Sequence, residues 1–394
     1  MKKSLIIGMA GLLALMGCSD KKSGKNVHVG RLTATHELAE TGSKRFRLDT
    51  ETKNRPPYLQ ICQDGSGERL LTFLNPRKNA IYFYRYADTT YVKQIAFERE
   101  GGNAILSASG YCLKSPDSIY VMNRPMMEVV LTDSLGQVRS RTVLLDKENK
   151  EWALTHPQYL LSAVAPLTIK DNHLLLPGFA PFPQIIMENR ERFRFTAAVD
   201  LSTQAISYHH LYPESLFGKE ANWGGDLMQM VYPAFTPEGK MIHSFPNSHD
   251  LYLSEWNSDE MTPVYAGSNE VESIHPLDCK PDENVPDEQL LSFFLEQDWY
   301  AAVLHDPYQK VYYRYLQKAV SPAASKKQLN GKVLSVIIMD EQFRYLGETE
   351  IGTGEQWNWN NSFVTPEGLH IEHCGTKMED DDYLTFGIFQ PKAK

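Results

Sequence analysis

Within four residues, His370, Glu372 and His373 bring two imidazoles and a carboxylate together. These are donor types that hold zinc. On a strand, alternate residues share a face. His370 and Glu372 would then point one way and His373 the other, so the three converge only if the strand bulges. His243 and His249 flank Ser-Phe-Pro-Asn-Ser and could meet across a turn, while His209 and His210 take opposite faces if extended. The run Glu379-Asp380-Asp381-Asp382 offers hard oxygen ligands for calcium, although solvated charge on a hairpin loop is the simpler reading. No metal site and no cofactor is expected. Nor does the chain contain a GxSxG elbow, an HExxH pair or a GxxxxGK loop followed by Ser or Thr.

Rings and amides make a more distinctive cluster. In Trp357-Asn358-Trp359-Asn360-Asn361-Ser362-Phe363, extended backbone would put Trp357 and Trp359 on one face and Asn358 and Asn360 on the other. Asn222-Trp223-Gly224-Gly225-Asp226 repeats the theme. Flat apolar rings beside amides suit stacking on, and hydrogen bonding to, sugars or peptides. Trp357, Asn358, Trp359, Asn360, Asn222 and Trp223 are therefore the candidate ligand contacts. The plainer alternative packs the tryptophans between structural repeats and uses the asparagines to cap loops.

One more residue carries chemistry. Lys2 and Lys3 precede an apolar run from Leu5 to Met16, too short to span a bilayer. Leu15-Met16-Gly17-Cys18 then has the order of a lipobox. A thiol receives diacylglycerol, and small Gly17 opens the preceding bond to the signal peptidase. The expectation is a signal peptide over 1–17, lipid on Cys18, and a polar tether over 18–29. Two or three acyl chains anchor stably where one does not. Ser19, rather than Asp, follows the cysteine. By the enterobacterial sorting logic that leans towards the outer membrane.

Loss of Lys2 and Lys3 takes the formal charge from −9 to −11. That argues against a nucleic-acid partner, which would need a basic patch. Four cysteines remain after Cys18: Cys62, Cys112, Cys279 and Cys374. They contain no CxxC pair, and Cys62 and Cys112 precede similar turns, as buried thiols in neighbouring repeats would.

Stepping from these residues to what must hold them, one pattern recurs: strand, short polar turn, strand. Asp64, Pro116, Asp171, Pro237, Asp306 and Pro366 mark six such turns, and Thr236-Pro237-Glu238-Gly239 returns as Thr365-Pro366-Glu367-Gly368. Pro presets φ, Asp bonds nearby backbone and Gly tolerates positive φ. A second hairpin follows most of the first ones, as around Asp133–Gly136. Two hairpins make the four strands of a propeller blade. The last repeat ends three strands in, at Lys394, so a strand from within residues 28–50 is expected to complete it and close the ring. The expected architecture is an all-β, six-bladed β-propeller of four-stranded blades in a single domain over 30–394. One helix is expected over "VPDEQLLSFFLEQ", and a mixed-charge insertion near Gln184–Arg194.

The lipobox, "HDPYQKVYYRYL" and "NSFVTPEGLHI" together resemble a family of Bacteroidetes lipoproteins classed as a domain of unknown function. The resemblance spans nearly the whole mature chain and implies a six-bladed propeller related to the NHL and TolB-like groups. It supplies no catalytic residue. The tether lacks the acidic run that marks many surface-exposed lipoproteins of that phylum, which favours the periplasmic face. Function is then expected to be binding or scaffolding of a protein, peptide or glycan in the envelope. The alternative is an envelope hydrolase or lyase with its site at the propeller axis.

Overall fold

The computed structural model describes residues 24–52, 55–218, 220–375 and 382–394. Cys18 and its lipobox, and Glu379–Asp381 of the acidic run, lie outside the described residues. Six four-stranded antiparallel sheets form the blades of a propeller. Their first, innermost strands are Leu59–Gln63, Ala108–Ser115, Thr168–Lys170, Tyr232–Phe235, Trp299–Asp306 and Trp357–Thr365.

Five of the six turn markers fall between the first and second strands of a blade, and Asp306 is the last residue of its first strand. Their chemistry is the local kind that a sequence displays. Gly239 has φ of 89° and donates its N–H to the Thr236 carbonyl at 2.9 Å. The Asp64 carboxylate accepts from the N–H groups of Ser66 and Glu68, at 2.8 and 2.9 Å. Asp306 does the same for Tyr308 and Gln309, at 2.9 Å each.

The ring closes as expected, with one strand from within residues 28–50. His36–Arg47 runs antiparallel to the final strand, Tyr383–Ala393, and so forms the outer edge of blade 6. A bulge between Glu40 and Gly42 lets the long strand follow the twist of the blade. Across the closure, Tyr86 of blade 1 bonds His370 at 2.8 Å and Thr365 at 3.2 Å.

Tyrosine dominates the seams between blades. Tyr58, Tyr111, Tyr300, Tyr312, Tyr313 and Tyr315 are fully buried. A buried phenol needs a partner for its hydroxyl. Tyr58 finds it in the Tyr111 carbonyl at 2.7 Å, and Tyr111 in the Thr72 hydroxyl at 2.6 Å.

The expected helix spans Asp287–Glu296 and begins after Pro286. Its C-terminal end is held by buried Lys332, whose ammonium donates to the carbonyls of Phe294, Leu295 and Gln297. Burial pulls that ammonium down to about 7. The stretch read as a mixed-charge insertion holds a second helix, Pro183–Asn189, which buries Ile185 and Ile186. Its apolar face is only two residues wide, so charge masked the period. Among the described residues no helix is long and apolar enough to cross a membrane.

The stretch read as a tether divides. Residues 18–23 lie outside the described residues. From Gly24 onward the chain is docked: Gly24–Lys25 pairs with Ser273–Ile274, and the Asn26 side chain is 2% exposed.

Candidate functional site

Arg314 organises the deepest polar site. It sits on the second strand of blade 5, Val311–Lys318, and is fully buried. A lone buried guanidinium is expensive unless every N–H finds an acceptor. Here the acceptors are mainly carbonyls rather than a carboxylate. Nε donates to Ser244 Oγ at 3.1 Å. Nη1 donates to the carbonyls of His249 and Ala266, at 3.0 and 3.1 Å. Nη2 donates to those of Ser248 and Phe245, at 2.8 and 3.4 Å. The Tyr300 ring lies 4.0 Å from the guanidinium carbon, in cation–π geometry. Burial pulls Arg314 down to about 10, so it stays charged at neutral pH.

These bonds hold the turn between the second and third strands of blade 4, from Phe245 to Asp250. The turn is fixed by its carbonyls, and this leaves Asn247 in an unusual position. Asn247 is 1% exposed, and neither its Nδ2 nor its Oδ1 has a hydrogen-bond partner among the described residues. An unpaired buried polar group costs about 1–3 kcal/mol. Asn247 lines a cleft of about 1040 Å³. One wall comes from Leu211–Leu216, where blade 3 ends. Tyr252, Met261, Pro263 and Tyr265 of blade 4 form another, and the docked N-terminal residues Gly24–His28 form the third.

The N-terminal wall is tied to the same buried arginine. Tyr300 accepts the Ser268 N–H at 3.0 Å and bonds His249 Nδ1 at 2.8 Å. His249 Nε2 bonds the Gly24 carbonyl at 2.6 Å. With a carbonyl on Nε2, that nitrogen carries the proton and Nδ1 accepts from Tyr300. Burial pulls His249 down to about 4, so the imidazole is neutral. Asn26 donates to the carbonyls of Ser268 and Val271, at 2.7 and 3.0 Å. Its Oδ1 accepts from Tyr265 and from the His28 N–H, at 3.0 and 2.9 Å. At the rim, Arg190 pairs with Glu214 at 2.6 Å, and Asp259 with Arg194 at 2.7 Å. Burial raises the Asp250 carboxyl. The cleft therefore combines tyrosine edges, a mostly paired charged rim and one idle amide.

The residues singled out in the sequence are placed elsewhere. Trp357 and Trp359 are 7% and 8% exposed. The Trp357 indole donates to the Ile351 carbonyl at 2.7 Å and packs on Phe389. Trp359 packs on Tyr232 of blade 4 and Tyr315 of blade 5, past the small Ala301 and Ala302. Trp223 is buried and donates to the Leu216 carbonyl at 2.9 Å. Asn222 donates to Cys279 Sγ and the Lys280 carbonyl, and accepts the Gly224 N–H. The rings thus pack between blades and Asn222 caps a loop. Asn358 is half-buried and Asn360 is exposed. Buried rings and more exposed amides alternate as far as Asn360, but the pairing register slips after Asn358. Asn358 pairs with Glu372 and Ser362 with Ile371, so Trp359, Asn360 and Asn361 bulge out of register.

That bulge turns Asn361 inward. Glu372 Oε2 accepts from Asn358 at 2.6 Å and Asn361 at 2.7 Å, while Oε1 has no partner among the described residues. Burial raises Glu372 to about 7. His370 shares its strand face but bonds Tyr86, and His373 lies against Trp357. His243 does not meet His249 either. It bonds Ser254 at 2.8 Å and lies beside His210, with ring centroids 4.4 Å apart. Among the described residues, no group of three or more His, Cys, Asp or Glu side chains is placed to hold a metal ion. Cys62, Cys112, Cys279 and Cys374 are free thiols, and burial pushes Cys62, Cys112 and Cys374 up to about 11.

Asn247 and Arg314 escaped the sequence reading. The only local signal for Asn247 was Pro246-Asn247, a turn dipeptide; nothing local marked Arg314 as buried.

The chain belongs to the family described as a domain of unknown function, DUF4221, whose model matches residues 35–350. It is similar to a solved DUF4221 protein of Bacteroides vulgatus: 21% identity over 91% of this chain and 99% of that one, TM-score 0.76. It is also similar, at 11% identity and TM-score 0.51, to a Bacteroides fragilis protein named only as an exported protein. That likeness covers 91% of this chain and 96% of that one. At these identities the solved structures speak for the fold alone. No curated protein matches the chain.

Proposed function

We propose that this chain is a lipid-anchored binding protein of the cell envelope, held through Cys18 at the outer membrane, and that it binds an extended peptide segment in the blade 4 cleft. The observation that carries this reading is Asn247. Asn247 lies beside the cleft, and its buried amide nitrogen and oxygen have no partner among the described residues; a donor and an acceptor side by side are the complement of a single peptide group. The surrounding turn is pinned by Arg314, so little ordering remains to oppose binding. Tyr252 and Tyr265 give apolar edges for side chains on either side of that peptide group.

The test is capture from a peptide library, and from an array of envelope oligosaccharides, by the purified mature chain and by Asn247→Leu. Leucine removes both polar atoms at similar volume. Peptides held by the wild type and released at least tenfold more readily by Asn247→Leu support the reading. Equal capture by both proteins rules out the cleft, and capture of oligosaccharides alone transfers the site to glycans.

A further inference from the structure

The docked N-terminus does more than wall the cleft; it limits which way the cleft can point. Residues Gly24–Leu32 are fixed to the rim at several points. Gly24–Lys25 pairs with Ser273–Ile274, and Asn26 reaches two carbonyls. The Gly30 N–H bonds the Asn269 carbonyl at 2.8 Å, and the Leu32 N–H bonds the Asn269 side chain at 2.9 Å. Only six residue steps separate Gly24 from Cys18. At full extension they span about 20 Å.

That reach is short beside the body it holds. A compact chain of this length has a radius of gyration of about 21 Å, which for a sphere means a diameter of roughly 54 Å. A leash of about 20 Å cannot carry the far side of such a body to the surface that holds the leash.

Charge acts in the same sense. The leash and the start of the docked segment carry Lys21, Lys22 and Lys25 against the single Asp20, in a chain whose formal charge is −9. Basic residues beside an anionic leaflet are drawn to it, and acidic surface is turned away. Val27, on the wall of the cleft, is 62% exposed and offers an apolar side chain to the interface.

We infer that the cleft of blade 4 opens beside the membrane, so that its occupant is a juxtamembrane segment of another membrane-held protein. This rests on the anchoring and peptide readings above. It adds where the peptide must come from: a partner whose chain passes within about 20 Å of the headgroups.

The experiment uses the full chain, purified after expression in a bacterium that processes lipoproteins. Mass analysis of the N-terminal peptide comes first; an unmodified Cys18 overturns the anchoring reading and this inference with it. The lipidated chain, in a Cys279→Ser background, then receives one fluorophore through Glu214→Cys at the cleft rim or Leu135→Cys in an exposed turn of blade 2. The remaining thiols are held largely protonated by burial and react slowly at pH 7. Both proteins are reconstituted into phosphatidylcholine–phosphatidylglycerol vesicles whose headgroups carry a nitroxide quencher. Quenching at least threefold stronger at position 214 is expected. Equal quenching, or stronger quenching at 135, overturns the orientation while leaving the anchor standing. Peptide binding that persists in solution but fails on vesicles overturns the juxtamembrane partner alone.

Discussion

Arg314 of blade 5, which reaches into blade 4, and Glu372 of blade 6 are both fully buried, and the fold treats them in opposite ways. Arg314 is surrounded by backbone carbonyls and a hydroxyl that take up its donors. Glu372 meets two asparagine amides at one oxygen and nothing at the other. A guanidinium cannot shed its proton near neutral pH, so the fold must bring acceptors to it. A carboxylate can take a proton instead, and Glu372 moves to about 7. The unmet bonding at blade 6 is sealed inside the protein. At blade 4 it falls on Asn247, which is equally buried but lies beside the cleft. Saturating a buried charge with backbone therefore does two things: it stiffens a turn, and it leaves that turn's own side chain without a hydrogen-bond partner among the described residues.

The comparison breaks most readily at Arg314. Arg314→Met strands its carbonyl acceptors and is expected to lower unfolding free energy by about 3–5 kcal/mol, read by urea denaturation. A loss below 1 kcal/mol would mean the turn holds itself.

Glu372→Gln should act in the other direction, and only above about pH 4.5. The folded state holds the Glu372 proton more tightly than the unfolded chain, whose value is near 4.5. Stability from this group is complete below pH 4.5 and is lost as pH rises through about 7. Glutamine has no proton to lose, so the variant should gain about 3 kcal/mol at pH 8 and nothing at pH 4, measured by thermal unfolding. An equal gain at both pH values would detach the effect from ionisation.

Acid should probe blades 3, 4 and 6 together. Burial holds His210, His249 and His370 near 4, against about 6.5 when unfolded. Their contribution is intact above pH 6.5 and falls as pH drops towards 4, by about 1 kcal/mol or more per histidine. His249→Gln should flatten that fall and loosen the Gly24 segment, seen as faster amide exchange at Lys25–Asn26.

Asn247→Leu sharpens the comparison. Without peptide, it should stabilise the protein by about 1 kcal/mol, because an unpaired amide is replaced by an apolar group. Destabilisation would show that the amide already has a partner. Asn360→Ala, at an exposed position in the blade 6 bulge, should change stability by less than about 0.5 kcal/mol.

Much of the ring was legible. Asp64, Pro237 and Pro366 announce turns because their effects reach only two to four residues along the backbone. The missing fourth strand of the last repeat could be counted, and its location near the N-terminus followed from the need to leave no open edge. The cleft was not legible. It depends on His249 bonding Gly24 across 225 positions and Arg314 bonding His249 across 65. No local pattern encodes either contact. The aromatic–amide run drew attention for the right residue types and the wrong surroundings. Trp357 and Trp359 have the chemistry to bind sugars or peptides, but the face they share is turned to the interior, against neighbouring strands and blades.

The ring closure has a consequence in time. His36–Arg47 is among the first strands to be synthesised, and its partner, Tyr383–Ala393, is the last. A chain that emerges N-terminus first holds a twelve-residue edge without its sheet until the final strand arrives. The propeller cannot close until Tyr383–Ala393 is available to pair, so its first blade-forming strand must wait through the making of every blade between.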